Sequence, residues 1–363
     1  MTDVLTTSIL FDGRELRGPS RVVVRDGIIV EIAPWDGTPE HHLLCPGFVD
    51  LQMNGFDDVD CADGDEHALT RLDDMLAAVG TTSYLATLIT DHLPALDRRI
   101  EILGAASMPG CIGIHLEGPF LGTATGAHPR GRIIDPDLQW LGNLPLNVRL
   151  VTLGVESDSS IPAIEVLRDR SVVVSIGHTR PGRQQWMAAV DAGATMVTHL
   201  FNAMSGIHHR EFGVALAALS DDRLVAGLIA DTHHVQPDAV ALAFTVKPRG
   251  ICLVSDSLAW RADWALRAGV AINGGVPVLA DGTLAGSSTP LAECVRRAVT
   301  VCGVELSTAL RAATSTPARI VGRSDIGTIA VGQSSDIVSL DSSLGVVNTW
   351  RRLQSPRGFQ TDC

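Results

Sequence analysis

Two histidines, His178 and His199, close short β-branched runs in the stretch SVVVSIGHTRPGRQQWMAAVDAGATMVTHLFNAM, residues 171–204. A strand, a crossover helix and a second parallel strand leave both strand C-termini on one face of a sheet, so the pattern sets the two imidazoles side by side. A third group comes from IGIHLEGPF, where Glu117 ends an alternating apolar run directly before Gly118-Pro119. A carboxylate at such a position costs free energy unless it is paired or bound to a cation. One carboxylate oxygen and two imidazole nitrogens make an O,N,N set of the kind that holds Zn2+ or Fe2+ while leaving a position open for water. A single strand-end histidine is more commonly a satisfied polar residue, and a single strand-end glutamate a salt-bridge partner. The convergence of all three favours a metal.

Asp256, in GICLVSDS, stands at the end of a further apolar run and is the candidate general base. A carboxylate within hydrogen-bond reach of an attacking water can take its proton and return it to a leaving amine. Asp256 is also a good N-cap for the segment that follows, as Ser255 and Ser257 are, and the two roles are compatible.

These groups need a scaffold that brings many strand ends to one face. From Pro46-Gly47 onward the chain repeats a strand, a polar loop and a helical segment, and eight strands can be picked out, at 47–51, 82–88, 112–116, 149–153, 172–176, 196–198, 224–230 and 251–255. Each is followed by polar candidates: Gln52 and Asn54, Thr90, Glu117, Glu156, His178, His199, Asp231 with His233 and His234, and Asp256. The pattern predicts an α/β fold, a (β/α)8 TIM-like barrel of residues 46–325 with its chemistry on the C-terminal face. The helix between His178 and His199 has Thr179 and Pro181 to open it and Gly193 to close it. The last barrel helices follow Ser287-Ser288 and run to about Gly322. Residues 1–45 hold short alternating runs around Asp12-Gly13 and Asp26-Gly27, and 327–341 read as β-type runs around Gly332-Gln333. Neither segment can bury a core alone, so the two termini, 1–45 and 326–363, are expected to pair into one small β-sandwich domain.

The bulk properties fit this division. A barrel takes about 250 residues, which leaves roughly 110 of the 363 for a second unit. A hydrophobic fraction of 45%, with only 4% aromatics and 35 glycines, suits a Val/Ile/Leu/Ala core in tightly turning α/β units. The net charge of −13 argues against nucleic-acid or anionic-membrane partners, so an anionic ligand must find a local basic pocket. Seven cysteines, at 45, 61, 111, 252, 294, 302 and 363, have no CxxC spacing and read as buried free thiols of a reducing compartment. No apolar run approaches the roughly 18 residues of a membrane span, and no leader pattern opens the chain. The expectation is a cytoplasmic protein.

The motifs PGFVDLQMNG, GTTSYLATLIT, GIHLEGPFL followed by GAH, VSIGHT, THLFNAM, LIADTHHV, LVSD and TLAGSS stand in the order found in N-acetylglucosamine-6-phosphate deacetylases of the amidohydrolase superfamily. The chain resembles that family over nearly its whole length. PGFVD and GTIAVGQSSDIV mark only the superfamily, whereas HLEGPF with THLFNAM is specific to the deacetylases. The resemblance implies hydrolysis of the acetamido group of N-acetyl-D-glucosamine 6-phosphate to D-glucosamine 6-phosphate and acetate. It implies Glu117, His178 and His199 as metal ligands, Asp256 as acid/base, and His128 as a group polarising the acetyl carbonyl. Without that likeness His128 reads equally well as a solvated loop histidine. Asn202 and Ala203 would lie along the sugar phosphate, and Arg210 with His234 would bind the phosphate, since guanidinium donates two parallel hydrogen bonds to it. A homodimer whose sites borrow Arg210 and His234 from the partner is expected.

Three departures bear on detail. Where many amidohydrolases carry an HxH pair, this chain has Gln52 and Asn54, whose neutral amides are poor transition-metal ligands. One divalent transition metal per chain is therefore expected, Zn2+ first, with Fe2+, Co2+ and Mn2+ accepting the same ligands. Asp231-Thr232 replaces the family's Asp-Gly, leaving open whether His233 or His234 points inward. The loop 257–285, with Trp260 and Trp264, differs from the family after the aspartate and bears on how the sugar is covered. Two alternatives remain open: another N-acyl or cyclic-amide hydrolase of the superfamily, and a barrel that binds a sugar phosphate without turnover.

Overall fold

In the computed structural model, which describes residues 2–351, all eight expected strands form one parallel sheet in sequential order. They are Phe48–Met53, Thr81–Ile89, Cys111–Glu117, Val148–Leu153, Val173–Ile176, Met196–Val197, Val225–Leu228 and Ile251–Leu253. Just beyond the last strand, the Asp256 N–H donates to the Gln52 carbonyl at 2.9 Å and the Asn54 N–H to the Ser257 carbonyl at 2.8 Å. A parallel bridge between Met53 and Ser257 completes the closure. The first and last strands therefore meet at the residues that carry Gln52 and Asp256.

Side chains alternate in and out along a strand, so residues two apart climb one wall of the barrel. Leu85, Leu150, Met196, Val225, Cys252 and Val254 belong to an apolar cluster with Ala318, Val321 and Ile326. Two residues above several of them stand Thr87, Thr152, Thr198 and Asp256. The hydroxyls form a buried polar layer with His115 and Ser175. His115 Nε2 is 2.8 Å from Thr152 Oγ1, Thr152 Oγ1 is 2.7 Å from Thr198 Oγ1, and Ser175 Oγ is 2.6 Å from Thr198 Oγ1. Glu117 follows His115 by two positions and stands in the layer above. Polar groups this deep persist because they satisfy one another.

Helices cover the outside. The helix Glu66–Ala78 buries Leu69, Leu72 and Leu76 on one face and is capped by Asp65, which accepts from the Ala68 N–H at 2.8 Å. The helix Arg183–Ala192 ends at Gly193, whose φ of 124° suits glycine. Thr179 does not open this helix as the sequence suggested: Gln185 Oε1 accepts from the Gly182 N–H at 2.9 Å, and the Thr179 hydroxyl is spent on Glu156.

The chain ends meet in a seven-stranded mixed sheet, in which Ile337–Leu340 lies between His41–Pro46 and Val346–Trp350. Its small core includes Leu5, Leu10, Val22, Leu44, Ile329 and Ile337. Within 327–341 only Ile337–Leu340 is a strand, because Gly327 (φ 76°) and Gly332 (φ 90°) turn the preceding chain. The strand Val346–Trp350 falls outside the runs read from the sequence. Six described cysteines are free, five of them buried; Cys363 and the end of the expected 326–363 segment lie outside the described residues. Among the described residues no helix is long and apolar enough to cross a membrane.

Candidate active site

The C-terminal ends of the third, fifth and sixth barrel strands bring three donor atoms into a triangle. Glu117 Oε1 lies 3.2 Å from His178 Nε2 and 3.1 Å from His199 Nε2, and the two nitrogens are 2.9 Å apart. All three residues are buried, none more than 4% exposed. His178 and His199 sit at φ 51° and 28°, just after their strands, as does Asp256 at φ 47°. Non-glycine residues in the left-handed region store of order 1–3 kcal/mol each, and such strain gathers where side chains must be aimed.

The donor chemistry fits a divalent cation. His178 Nδ1 is 3.1 Å from the Ala124 carbonyl, which can only accept, so Nδ1 carries a proton and Nε2 is the ring nitrogen turned to Glu117 and His199. Two ring nitrogens and a carboxylate oxygen this close need a positive charge among them, which either a proton on the imidazoles or a divalent cation supplies. Tetrahedral Zn2+ with bonds of 2.0–2.1 Å spaces its ligand atoms about 3.3 Å apart, close to the edges of this triangle. Burial opposes ionisation of Glu117, but hydrogen bonds and charges from both histidines hold its carboxyl well below the usual range. Donor atoms of Glu117, His178 and His128 also fall within 4.8 Å of one another, with His128 Nε2 3.9 Å from Glu117 Oε2.

His128 is buried rather than solvated. Burial and the neighbouring His178 push it down to about 3, so its ring is neutral. His128 Nδ1 is 2.8 Å from Thr90 Oγ1, which leaves Nε2 facing the triangle. Below, burial pushes His115 down to about 4, so the ring within the hydroxyl layer is neutral as well.

Asp256 faces the triangle from the seam of the barrel. Gln52 Nε2 donates to Asp256 Oδ1 at 3.0 Å and to Glu117 Oε1 at 2.9 Å, and Asn54 Nδ2 donates to Asp256 Oδ1 at 2.9 Å. Both amides thus serve as donors to carboxylates. Burial, then the charge of Glu117, raises Asp256 to about 7, close to where a general base works best.

Above these groups opens a cavity of about 1060 Å³ lined by Glu117, His128, His178, His199, Asn202, Ala203, His234 and Asp256. His234 is the inward imidazole of its pair. Its Nδ1 is 2.7 Å from Asp231 Oδ2, and Asp231 also accepts from the His233 and His234 N–H groups. His233 instead approaches Gly275. His234, expected to be supplied by a partner, lines the cavity of its own chain. Arg210 is exposed on its loop and does not line that cavity. Leu258, Trp264, Thr283, Leu284 and Ala285 of the divergent loop form part of the wall; Trp260 does not.

The roles of Thr90 and of the Ala124 carbonyl were not assigned from sequence. Thr90 was visible as the polar residue after a strand, whereas a backbone carbonyl leaves no trace in residue type.

The amidohydrolase family model matches residues 43–360. An N-acetylgalactosamine-6-phosphate deacetylase from Escherichia coli O157:H7 is 32% identical, over 96% of this chain and 98% of its own. The human N-acetylglucosamine-6-phosphate deacetylase is 34% identical, over 85% of this chain and 82% of its own. The structure of a Mycobacterium smegmatis N-acetyl-D-glucosamine-6-phosphate deacetylase, an aspartate-to-alanine mutant in complex with N-acetyl-D-glucosamine-6-phosphate, superposes with a TM-score of 0.90 at 31% identity, covering 97% of this chain and 98% of that one.

Proposed function

The chain belongs to the amidohydrolase family, and from that premise we propose that it hydrolyses the acetamido bond of N-acetyl-D-glucosamine 6-phosphate to D-glucosamine 6-phosphate and acetate. The observation that carries this reading is the Glu117, His178 and His199 triangle facing Asp256 across one cavity floor.

Glu117, His178 and His199 would hold one divalent transition metal, Zn2+ first, and Fe2+, Co2+ and Mn2+ suit the same donors. When bound, that ion supplies Lewis-acid polarisation of water and of the acyl oxygen. The shorter edges favour His199 over His128 as the third ligand, leaving the neutral His128 to donate from Nε2 to the acyl oxygen as charge develops there. Asp256 accepts the proton of the attacking water and returns it to the amine nitrogen as the C–N bond breaks. Gln52 and Asn54 both donate to Oδ1, which leaves Oδ2 for that proton. Asn202 and Ala203 line the sugar's path, and His234, held by Asp231, presents its free ring edge to the phosphate. Arg210 lies outside its own cavity, which supports a homodimer in which it reaches the partner's phosphate site. The free cysteines suit a reducing, cytoplasmic setting.

N-acetyl-D-galactosamine 6-phosphate is the second reading, favoured by the galactosamine relative that spans 96% of this chain. Acetate release by the metal-loaded protein should be compared on the two phosphorylated sugars and on N-acetylglucosamine. A clear preference in kcat/KM for the glucosamine phosphate supports the first reading, and the reverse preference the second. No turnover of either contradicts both.

A further inference from the structure

Glu156, at the end of the fourth barrel strand, stands outside the triangle and the cavity wall, yet its carboxylate is saturated. Oε1 accepts from the Arg180 N–H at 2.7 Å and from the Thr123 N–H and hydroxyl, each at 3.1 Å. Oε2 accepts from the Val155 N–H at 3.1 Å and from the Thr179 hydroxyl. Five donors from three segments occupy an acceptor with about four lone-pair sites, so nothing is left over for a ligand. The packing is close as well: a Cβ on Gly122 would lie 2.0 Å from Glu156 Oε2, so a side chain at that position would push the carboxylate out of its network.

The segments that Glu156 joins flank the two anchors of one imidazole. Thr179 and Arg180 follow His178 directly. Thr123 precedes Ala124, whose carbonyl accepts from His178 Nδ1. The Gly122 N–H also donates to the His178 carbonyl at 3.0 Å. We propose that Glu156 is a positioning residue for the metal site: by clamping the 122–124 strand of loop to the turn after His178, it fixes the tautomer and aim of that ligand. The proposal rests on the reading of Glu117, His178 and His199 as metal ligands. Residues that orient a ligating histidine typically alter metal affinity 10- to 100-fold when lost.

The test is Zn2+ affinity of the metal-free full chain, measured by chelator competition for wild type, Glu156→Gln, Thr179→Val, Thr179→Ser and Glu117→Ala. Glu156→Gln should weaken Zn2+ binding roughly 10- to 100-fold. Thr179→Val should weaken it in the same direction, and Thr179→Ser, which keeps the hydroxyl, should restore it. Thermal unfolding of the metal-free variants should change little, and kcat at saturating Zn2+ should stay near wild type, since the ligands themselves remain. Zn2+ binding within threefold of wild type in both Glu156→Gln and Thr179→Val overturns the proposal. So does a loss of metal-free stability in Thr179→Val without any loss of affinity, which makes the network a support of the fold alone. Glu117→Ala separates the two levels: if it too retains full affinity, the ligand reading has failed and not only the positioning role. If Glu156→Gln does not fold, the Thr179 pair decides by itself.

Discussion

Gln52 Nε2 lies 3.0 Å from Asp256 Oδ1, a contact made across the seam where the first and last barrel strands meet. The same amide donates to Glu117 Oε1, so one side chain bridges the candidate base and a candidate ligand. Barrel closure and the relative placement of these two carboxylates are thus one structural event. Because the donors stabilise the ionised form of Asp256, removing them should raise its pKa further above the ordinary carboxylate range. With Asp256 as the proposed base, activity requires the ionised carboxylate, so kcat/KM should rise with pH through an acid limb. With Asp256 at about 7 in the metal-free site, and a bound cation drawing it lower, that limb should fall below about 7 in wild type. Gln52→Ala and Asn54→Ala should move it to higher pH while metal content stays near one ion per chain. A pH–rate profile unmoved by both substitutions would separate Asp256 from the acid limb, and two ions per chain in wild type would make Gln52 and Asn54 ligands.

His128 and Thr90 form a second pair whose consequence is measurable. If Thr90 donates to Nδ1, the His128 proton sits on Nε2, where it can stabilise a developing oxyanion. His128→Ala should cost on the order of 10²–10³ in kcat, as loss of an oxyanion donor does. Thr90→Val should lower kcat less and leave KM nearly unchanged, because only the tautomer preference is lost. A rise in KM at constant kcat in both would place His128 in ground-state binding instead.

The barrel was legible because its signals are local and repeated. Each strand is a short apolar run ending on a polar residue, and Glu117, His178, His199 and Asp256 all stand at such ends, so topology alone predicted that they would converge. What escaped was whatever depends on partners distant in sequence. Nothing in the local pattern showed that Thr87, His115, Thr152, Ser175 and Thr198 would form one hydroxyl layer, since each reads as an isolated polar residue in a strand. Gln52 was recognised as a poor ligand but not as a bridge, because its two acceptors lie on other strands. Thr179 was read as a helix opener, a local role that lost to a carboxylate from the neighbouring strand. His234 was paired with Arg210 by likeness to the family, and only the fold shows that it belongs to the cavity of its own chain.

Arg210 tests the shared site. A charge-assisted contact to phosphate contributes about 1.5–3 kcal/mol, so Arg210→Ala should reduce kcat/KM for the phosphorylated sugar roughly 10- to 150-fold while barely changing the rate on N-acetylglucosamine. If Arg210 reaches the partner's cavity, verified heterodimers of Arg210→Ala and Asp256→Asn contain one site with both residues intact, and activity should partly return. No recovery would keep the contact within one chain, and equal losses on both sugars would remove Arg210 from phosphate binding.

On the proposed function, this cavity floor hydrolyses an acetamido group with Asp256 as the proton acceptor. The direct measurement is acetate release from N-acetyl-D-glucosamine 6-phosphate by wild type and Asp256→Asn, with bound metal quantified in the same samples. The amide is nearly isosteric and cannot take the proton, so Asp256→Asn should keep its metal and its substrate affinity and lose on the order of 10²–10⁴ in kcat. An Asp256→Asn protein that retains its metal and turns over near the wild-type rate would rule out Asp256 as the proton acceptor.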